Sequence, residues 1–378
     1  MNDSLKHSAV AVRAPAHIRA ISPYMPGKPV SELAREMGLA EGDIVKLASN
    51  ENPLGMSEAA RKAAADALED LARYPDGNGF ELKVALAEKL GVALDQIVLG
   101  NGSNDILELA ARALLSPGAS TVYAQYAFAV YPLATNAAGG RGIEVAARDF
   151  GHDLDAMVAA ITPDTRIVFV ANPNNPTGTF LPGAAIEAFL ARVPADVLVV
   201  LDEAYTEYLD AGQRYDSIAW IARFPNLLVS RTFSKAYGLA GLRVGYGVGH
   251  PAVVDLLNRV RQPFNVSSVA LAAAAAALGD EGFLARSAEL NRAGMRQFTE
   301  AFSGLGLEWI PSAGNFVAVR VGDAAAVNRS LLRQGVIVRP VAGYGMPEWL
   351  RISIGLFEEN ARCIEALRVA LAEARSAG

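Results

Sequence analysis

An α/β fold, with a mainly parallel central sheet covered by helices and a smaller α+β domain appended, is predicted by three observations. Short β-rich runs that are apolar throughout, rather than alternating, recur from about Gly42 onward; strands buried on both faces read this way. Helical patterns separate several of these runs, as crossovers in a parallel sheet require. After Arg261-Gln262-Pro263 the pattern changes to long helices and a few strands. With 378 residues, the chain exceeds one ordinary core. The expected division is an N-terminal arm over 1–41 that belongs to the small domain, a large domain over 42–262, and a small domain over 263–378.

The elements follow in order. The arm, with Pro23, Pro26 and Pro29, is expected to be extended. Gln96 to Leu99 reads as a strand and Asp105 to Leu115 as a helix. Further strand-like runs are Thr121 to Tyr123, Ile143 to Val145, Ile167 to Val170, Val197 to Leu201, Leu227 to Ser230 and Val244 to Val248. Helices are expected over Leu154 to Ile161 and Ala184 to Arg192. The alanine-dominated run Val269 to Leu278 is too short to span a bilayer and reads as a packed helix. A long helical segment to about Phe302 precedes strands at Phe316 to Val321, Gly335 to Arg339 and Leu350 to Ile354, and Glu358 to Arg375 closes the chain as a helix.

Composition excludes several classes. A net charge of -6 without a basic tract argues against a nucleic-acid partner. Cys363 is the only cysteine, and His7, His17, His152 and His250 lack ligand spacing, so neither a disulfide framework nor a metal centre is expected. The first twenty residues contain no continuous apolar stretch of the kind a signal peptide needs, and a cytoplasmic protein without membrane contact is expected.

Four segments carry chemistry, each at the end of a strand, where open parallel sheets hold their ligands. Gly100-Asn101-Gly102-Ser103-Asn104-Asp105 joins a strand to a helix; its N–H groups and the helix dipole suit a phosphate, and a plain tight turn is the alternative. Asn172-Pro173-Asn174-Asn175-Pro176-Thr177-Gly178 is either a proline-rich turn or the source of an Asn175 amide that donates to an anionic ring oxygen. Asp202-Glu203-Ala204-Tyr205 follows the most hydrophobic strand, where a carboxylate needs a partner. Asp202 would pair with a protonated pyridine nitrogen there, or simply cap a helix. In Thr232-Phe233-Ser234-Lys235, a lysine leaves an apolar strand between hydroxyls, with Arg243 eight residues on. This suits an amine that bonds an aldehyde cofactor carrying a phosphate, whereas a lone lysine is usually a solvated surface charge.

Taken together, the NPxNPTG, DEAY and SKxxGLAGLRxGY segments resemble those of the fold-type I pyridoxal-phosphate aminotransferases of class I/II. The similarity runs from Asn50-Glu51-Asn52-Pro53 to Leu350-Arg351-Ile352-Ser353-Ile354-Gly355. Within that group the chain is most similar to the histidinol-phosphate aminotransferases, through Ser22-Pro23-Tyr24, Arg73-Tyr74-Pro75-Asp76-Gly77 and Gly335-Val336-Ile337-Val338-Arg339-Pro340. The resemblance implies pyridoxal 5'-phosphate as cofactor, with Lys235 as the amine that bonds it and moves the substrate proton. It implies Asp202 on the pyridine nitrogen, Asn175 and Tyr205 on the ring oxygen, and Tyr126 stacked on the ring, with Phe128 as the other aromatic of that loop. The phosphate would lie among Ser103, Asn104, Thr232, Ser234 and Arg243, joined by Tyr74 from a second subunit, which implies a homodimer with shared active sites. Arg351 would grip the carboxylate of glutamate or 2-oxoglutarate, and Arg339 and Tyr24 the phosphate of histidinol phosphate.

The implied reaction is amino transfer between histidinol phosphate and 2-oxoglutarate in L-histidine biosynthesis. The competing readings are an aromatic amino-acid aminotransferase, since an imidazole pocket also suits a phenyl ring, and a phospho-amino-acid decarboxylase on the same scaffold. A DNA-binding regulator would need more than the forty-odd proline-punctuated residues ahead of Gly42. A dinucleotide-dependent dehydrogenase would leave Lys235 without a role and lacks the third glycine of its fingerprint.

Overall fold

The computed structural model of the chain describes residues 9–24 and 26–376. Its centre is a seven-stranded sheet in the order Ile97–Gly100, Gly245–Gly249, Leu227–Thr232, Leu198–Asp202, Thr165–Ala171, Ser120–Ala124 and Arg141–Val145. Only Gly245–Gly249 runs antiparallel to its neighbours; the other pairings are parallel. The unbroken apolar runs are explained by burial on both faces. Val168, Val170, Val199, Leu201 and Val229 enter one hydrophobic cluster, while Ile167, Phe169, Leu198, Val200 and Leu228 enter another across the sheet. Ser103–Leu114 covers the second face with Ile106, Leu107, Leu109, Ala110 and Ala111 buried.

A smaller unit carries an antiparallel sheet of Arg339–Pro340, Trp349–Ser353, Phe316–Arg320 and Trp309–Ile310. Its helices are Ala324–Arg333 and Phe357–Ser376. The expected strand over Gly335 to Arg339 is split in two: Val336–Ile337 pairs in parallel with Val45–Lys46, and Arg339–Pro340 joins the antiparallel sheet.

Packing moves both expected domain boundaries. Val45 and Leu47 lie in the small-unit core with Val317, Val319 and Ile352, so the chain crosses to the large unit after them rather than at 42. Ser268–Leu278 buries Ala270, Ala273, Ala274 and Ala277 in the large-unit core and packs on Glu58–Ala67 and Phe80–Leu90, beyond the boundary expected at 263. The 25-residue helix Glu281–Leu305 touches the large core through Leu284 and the small one through Phe298 and Phe302. The arm is not simply extended: it forms helices at Ala9–Arg13, Ala16–Ala20 and Val30–Met37. The last of these buries Leu33 against Ala48 and Ile337, on the side of the small unit. Among the described residues no single helix is long and apolar enough to cross a membrane.

Candidate active site

Register brings the predicted segments together. Ala171 pairs with Asp202, and Asp202 with Ser230, so the turns that follow these three parallel strands open side by side at one sheet edge. Asn175, Asp202, Tyr205, Thr232, Ser234, Lys235, Ser103, Asn104, Arg243, Tyr24, Arg339 and Arg351 all line a single cleft there, about 890 Å³ including its open mouth.

Lys235 leaves its strand behind Phe233, which is fully buried and anchors the turn. Its Nζ donates to the Ser49 carbonyl at 2.9 Å and lies 5.8 Å from the centre of the Tyr205 ring. Burial, then the Arg351 charge and more weakly Arg243, bring its pKa down to about 7, against the opposing pull of Glu51 and Asp202. Arg243 is thus the lesser cation here, and Arg351, from the small unit, is the greater.

Asp202 ends its strand almost fully buried. Its Oδ2 accepts a hydrogen bond from Tyr131 Oη at 2.9 Å. Burial pushes its pKa up to about 6, although the Tyr131 O–H and the Ala204 N–H both favour the anion. Its Oδ1 has no hydrogen-bond partner among the described residues. A buried carboxylate oxygen left in this way is a seat for a cationic N–H.

Arg351 is also buried, and the oxygens it bonds are neutral: Nη1 donates to Asn175 Oδ1 and Nη2 to the Ala48 carbonyl at 2.8 Å, while Nε has no partner among the described residues. Burial lowers its pKa from the usual guanidinium value. A buried guanidinium held by neutral groups keeps its attraction for an incoming anion. The same contact orients Asn175, because Oδ1 faces Arg351 and Nδ2 remains as the donor. Tyr205 Oη accepts from Asn50 Nδ2 at 2.9 Å, which leaves its own O–H to donate. Burial raises the Tyr205 pKa to about 12, so that proton stays in place at neutral pH. Asn50 is held in turn by Ser353, two residues beyond Arg351, whose Oγ donates to Asn50 Oδ1 at 2.9 Å and accepts from its N–H at 2.8 Å.

The anion cradle is built by close approach. The helix Ser103–Leu114 starts in the cleft, offering its N-terminal N–H groups and positive dipole end. Gly245 permits this, since a Cβ there would lie 2.5 Å from Ser103 N. Gly102, at φ +80°, lets Arg243 reach across; a Cβ would sit 2.3 Å from its Nη2. Arg243 Nη1 donates to Ser234 Oγ at 3.3 Å, and Thr232 Oγ1 accepts from Ser234 N at 3.1 Å. At the mouth, Arg339 Nη2 donates to Tyr24 Oη at 3.0 Å and its guanidinium lies 5.5 Å from the Tyr24 ring centre.

One expected residue, Tyr126, lies elsewhere. Tyr126 adopts a left-handed backbone, φ +57°, and its ring packs toward Phe150 at 5.9 Å, in a cluster with Trp349 and Val341. Phe128 lines the cleft instead. Tyr74 is outside the cleft of its own chain, 83% exposed and stacked on Phe264 at 4.8 Å. Sequence reasoning also passed over Tyr131, Asn50 and Tyr344, the last of which lines the cleft. Tyr131, three residues after Phe128 near the start of Val130–Ala137, carries the one available signal: a hydroxyl on an otherwise apolar face needs a partner.

These residues fit pyridoxal phosphate. Asp202 Oδ1, which has no partner among the described residues, would accept from its ring nitrogen, the cradle that Gly102 and Gly245 leave open would receive its phosphate, and Lys235 would supply an amine of lowered pKa. The chain belongs to the class I and II aminotransferases, whose family pattern matches residues 42–367. Within that family it is similar to histidinol-phosphate aminotransferase 1 of Cupriavidus pinatubonensis, 70% identical over 361 residues, covering 94% of this chain and 96% of the relative. It is also similar to histidinol-phosphate aminotransferase 2 of Ralstonia nicotianae, 68% identical over 367 residues with 96% and 98% covered. The crystal structure of histidinol-phosphate aminotransferase from Sinorhizobium meliloti in complex with pyridoxal-5'-phosphate superposes with a TM-score of 0.88 at 30% identity, covering 96% of this chain and 98% of that one.

Proposed function

We propose that this chain is a pyridoxal-phosphate-dependent histidinol-phosphate aminotransferase of L-histidine biosynthesis. It moves the amino group of glutamate to imidazole acetol phosphate, giving histidinol phosphate and 2-oxoglutarate. The observation that carries the reading is the pairing of a low-pKa Lys235 with two cationic grips in one cleft, Arg351 inside and Arg339 with Tyr24 at the mouth. When bound, pyridoxal phosphate supplies an aldehyde that takes up the amino group and a ring that accepts electrons.

The residues divide the remaining work. Neutral Lys235 Nζ would take the proton from the substrate Cα and, as the ammonium, give it back on the far side of the substrate nitrogen, the 1,3 shift that amino transfer requires. Asp202 holds a proton on the ring nitrogen by charge pairing, and Asn175 Nδ2 with the Tyr205 O–H holds the ring oxygen. Phe128 replaces Tyr126 as the aromatic face. Ser103, Asn104, Thr232, Ser234 and Arg243 take the cofactor phosphate. Arg351 is the shared anchor, binding the glutamate carboxylate or the phosphate of histidinol phosphate bidentately, and Arg339 with Tyr24 helps to hold that phosphate. Tyr74 reaches the phosphate of a second copy, and its exposed stack on Phe264 suits a contact in a homodimer. The enzyme would act in the cytoplasm on small molecules, without nucleic acid or membrane.

Steady-state assay of 2-oxoglutarate formation tests the substrate assignment: imidazole acetol phosphate is expected to outrun phenylpyruvate as acceptor, and the reverse order would make the chain an aromatic aminotransferase. Phe128→Ala should weaken pyridoxal phosphate binding about 3- to 10-fold, while Tyr126→Ala changes it by less than about twofold; the opposite ranking in a binding titration would return the stacking role to Tyr126. Cofactor capture needs the neutral amine. Its rate on cofactor-free protein should therefore climb about fivefold from pH 6 to 7 and level off above about pH 8; a rate still climbing at pH 9 would contradict a lowered Lys235 pKa.

A further inference from the structure

Behind Asp202 stands a residue outside the segments that carry the proposed chemistry. Tyr131 is fully buried. Its ring lies flat on Phe169, 4.7 Å between centres with 3° between planes, and Phe128 meets it at 5.9 Å and 85°. Its carbonyl accepts from Thr135 Oγ1 at 2.8 Å. The ring is thus held against the strand next to the one that ends in Asp202, and its hydroxyl has a single direction to point: 2.9 Å from Asp202 Oδ2.

We propose that Tyr131 is a positioning residue, whose O–H ties down one oxygen of Asp202 and leaves Oδ1 as the anionic acceptor for the cofactor's ring nitrogen, while its ring seats Phe128. The inference rests on the reading of Asp202 as the ring-nitrogen partner. Any buried tyrosine needs an acceptor, and a backbone carbonyl would serve stability alone. A carboxylate acceptor does something more, because the bond forms with the charged state and favours it. The groups that face Asp202 are few. Tyr131, the Ala204 N–H and Lys235 favour its anion, Glu203 and burial oppose it, and Tyr205 is close by. Tyr131 is the strongest of the favourable ones. Its proton is firmly its own, since burial and the Asp202 charge raise its pKa far above that of free tyrosine.

Tyr131→Phe keeps the ring and removes the donor. In the cofactor-free full-length protein, isotope-labelled aspartate should show the Asp202 carboxyl titrating about one pH unit higher than in the wild type. Pyridoxal phosphate should bind about 10-fold more weakly, and kcat should fall with KM for glutamate nearly unchanged. In an Asp202→Asn background, loss of the hydroxyl should change cofactor affinity by no more than about twofold, since its effect passes through the carboxylate. An unmoved Asp202 titration, or an equal loss of affinity in both backgrounds, would overturn the proposal and leave Tyr131 a packing residue. If Tyr131→Phe does not fold, Tyr131→3-fluorotyrosine, a stronger donor of nearly the same shape, should move the Asp202 titration downward; no movement there overturns it equally. Should Asp202→Asn alone leave cofactor affinity intact, the ring-nitrogen reading fails, whatever the Asp202 titration in Tyr131→Phe shows.

Discussion

Lys235→Ala is expected to lower kcat by about 10⁴-fold, the upper end of what a positioned acid–base group contributes, with the fold intact. The side chain reaches the cleft from a turn held by Phe233 and by backbone bonds from Phe233 to Val244 and from Leu239 back to Phe233, none of which needs the amine. What disappears is an amine whose pKa burial and the Arg351 charge bring down to about 7. The Ser103 helix start, Arg243 and Asp202 remain, so the variant should still bind pyridoxal phosphate, noncovalently. Kinetics with an equilibrium dialysis measurement of bound cofactor separates the two effects. Retention of a tenth or more of wild-type turnover would remove Lys235 from the reaction.

Arg351→Lys should raise KM for both glutamate and histidinol phosphate about 10- to 100-fold, the cost of a lost charge-assisted pair of bonds. A lysine ammonium keeps the charge but is a point donor, and cannot hold Asn175 Oδ1 and the Ala48 carbonyl while gripping an anion edge-on. The cofactor's absorbance should persist, since Arg351 lies on the small-unit strand Trp349–Ser353, away from the phosphate cradle. Loss of the Arg351 bond also frees Asn175, so a modest fall in kcat should accompany the change. Unchanged Michaelis constants would show that the substrate carboxylate is bound elsewhere.

The central strands were legible because burial on both faces demands unbroken apolar runs, and Leu198–Asp202 is buried at every position. Their ends were legible for the same reason: Asp202 and Lys235 are polar residues where the apolar pattern stops. Domain boundaries were not, because an apolar pair such as Val45 and Leu47 does not reveal which core receives it; the partner strand Val336–Ile337 lies almost three hundred residues away. The choice between Tyr126 and Phe128 depended on a single φ of +57° that swings Tyr126 toward Phe150, and two aromatics in a loop have no periodicity to distinguish them. Tyr131 and Asn50 were missed because each acts through another residue, and contacts such as Asn50 to Ser353 are made only by the fold.

The most direct test of the central claim is a single-turnover absorbance measurement on the purified holoenzyme, mixed separately with glutamate, histidinol phosphate and phenylalanine. Glutamate and histidinol phosphate should each convert the cofactor from its aldehyde-derived to its amine form, with phenylalanine slower. A spectrum that histidinol phosphate leaves unchanged and phenylalanine converts would contradict the account.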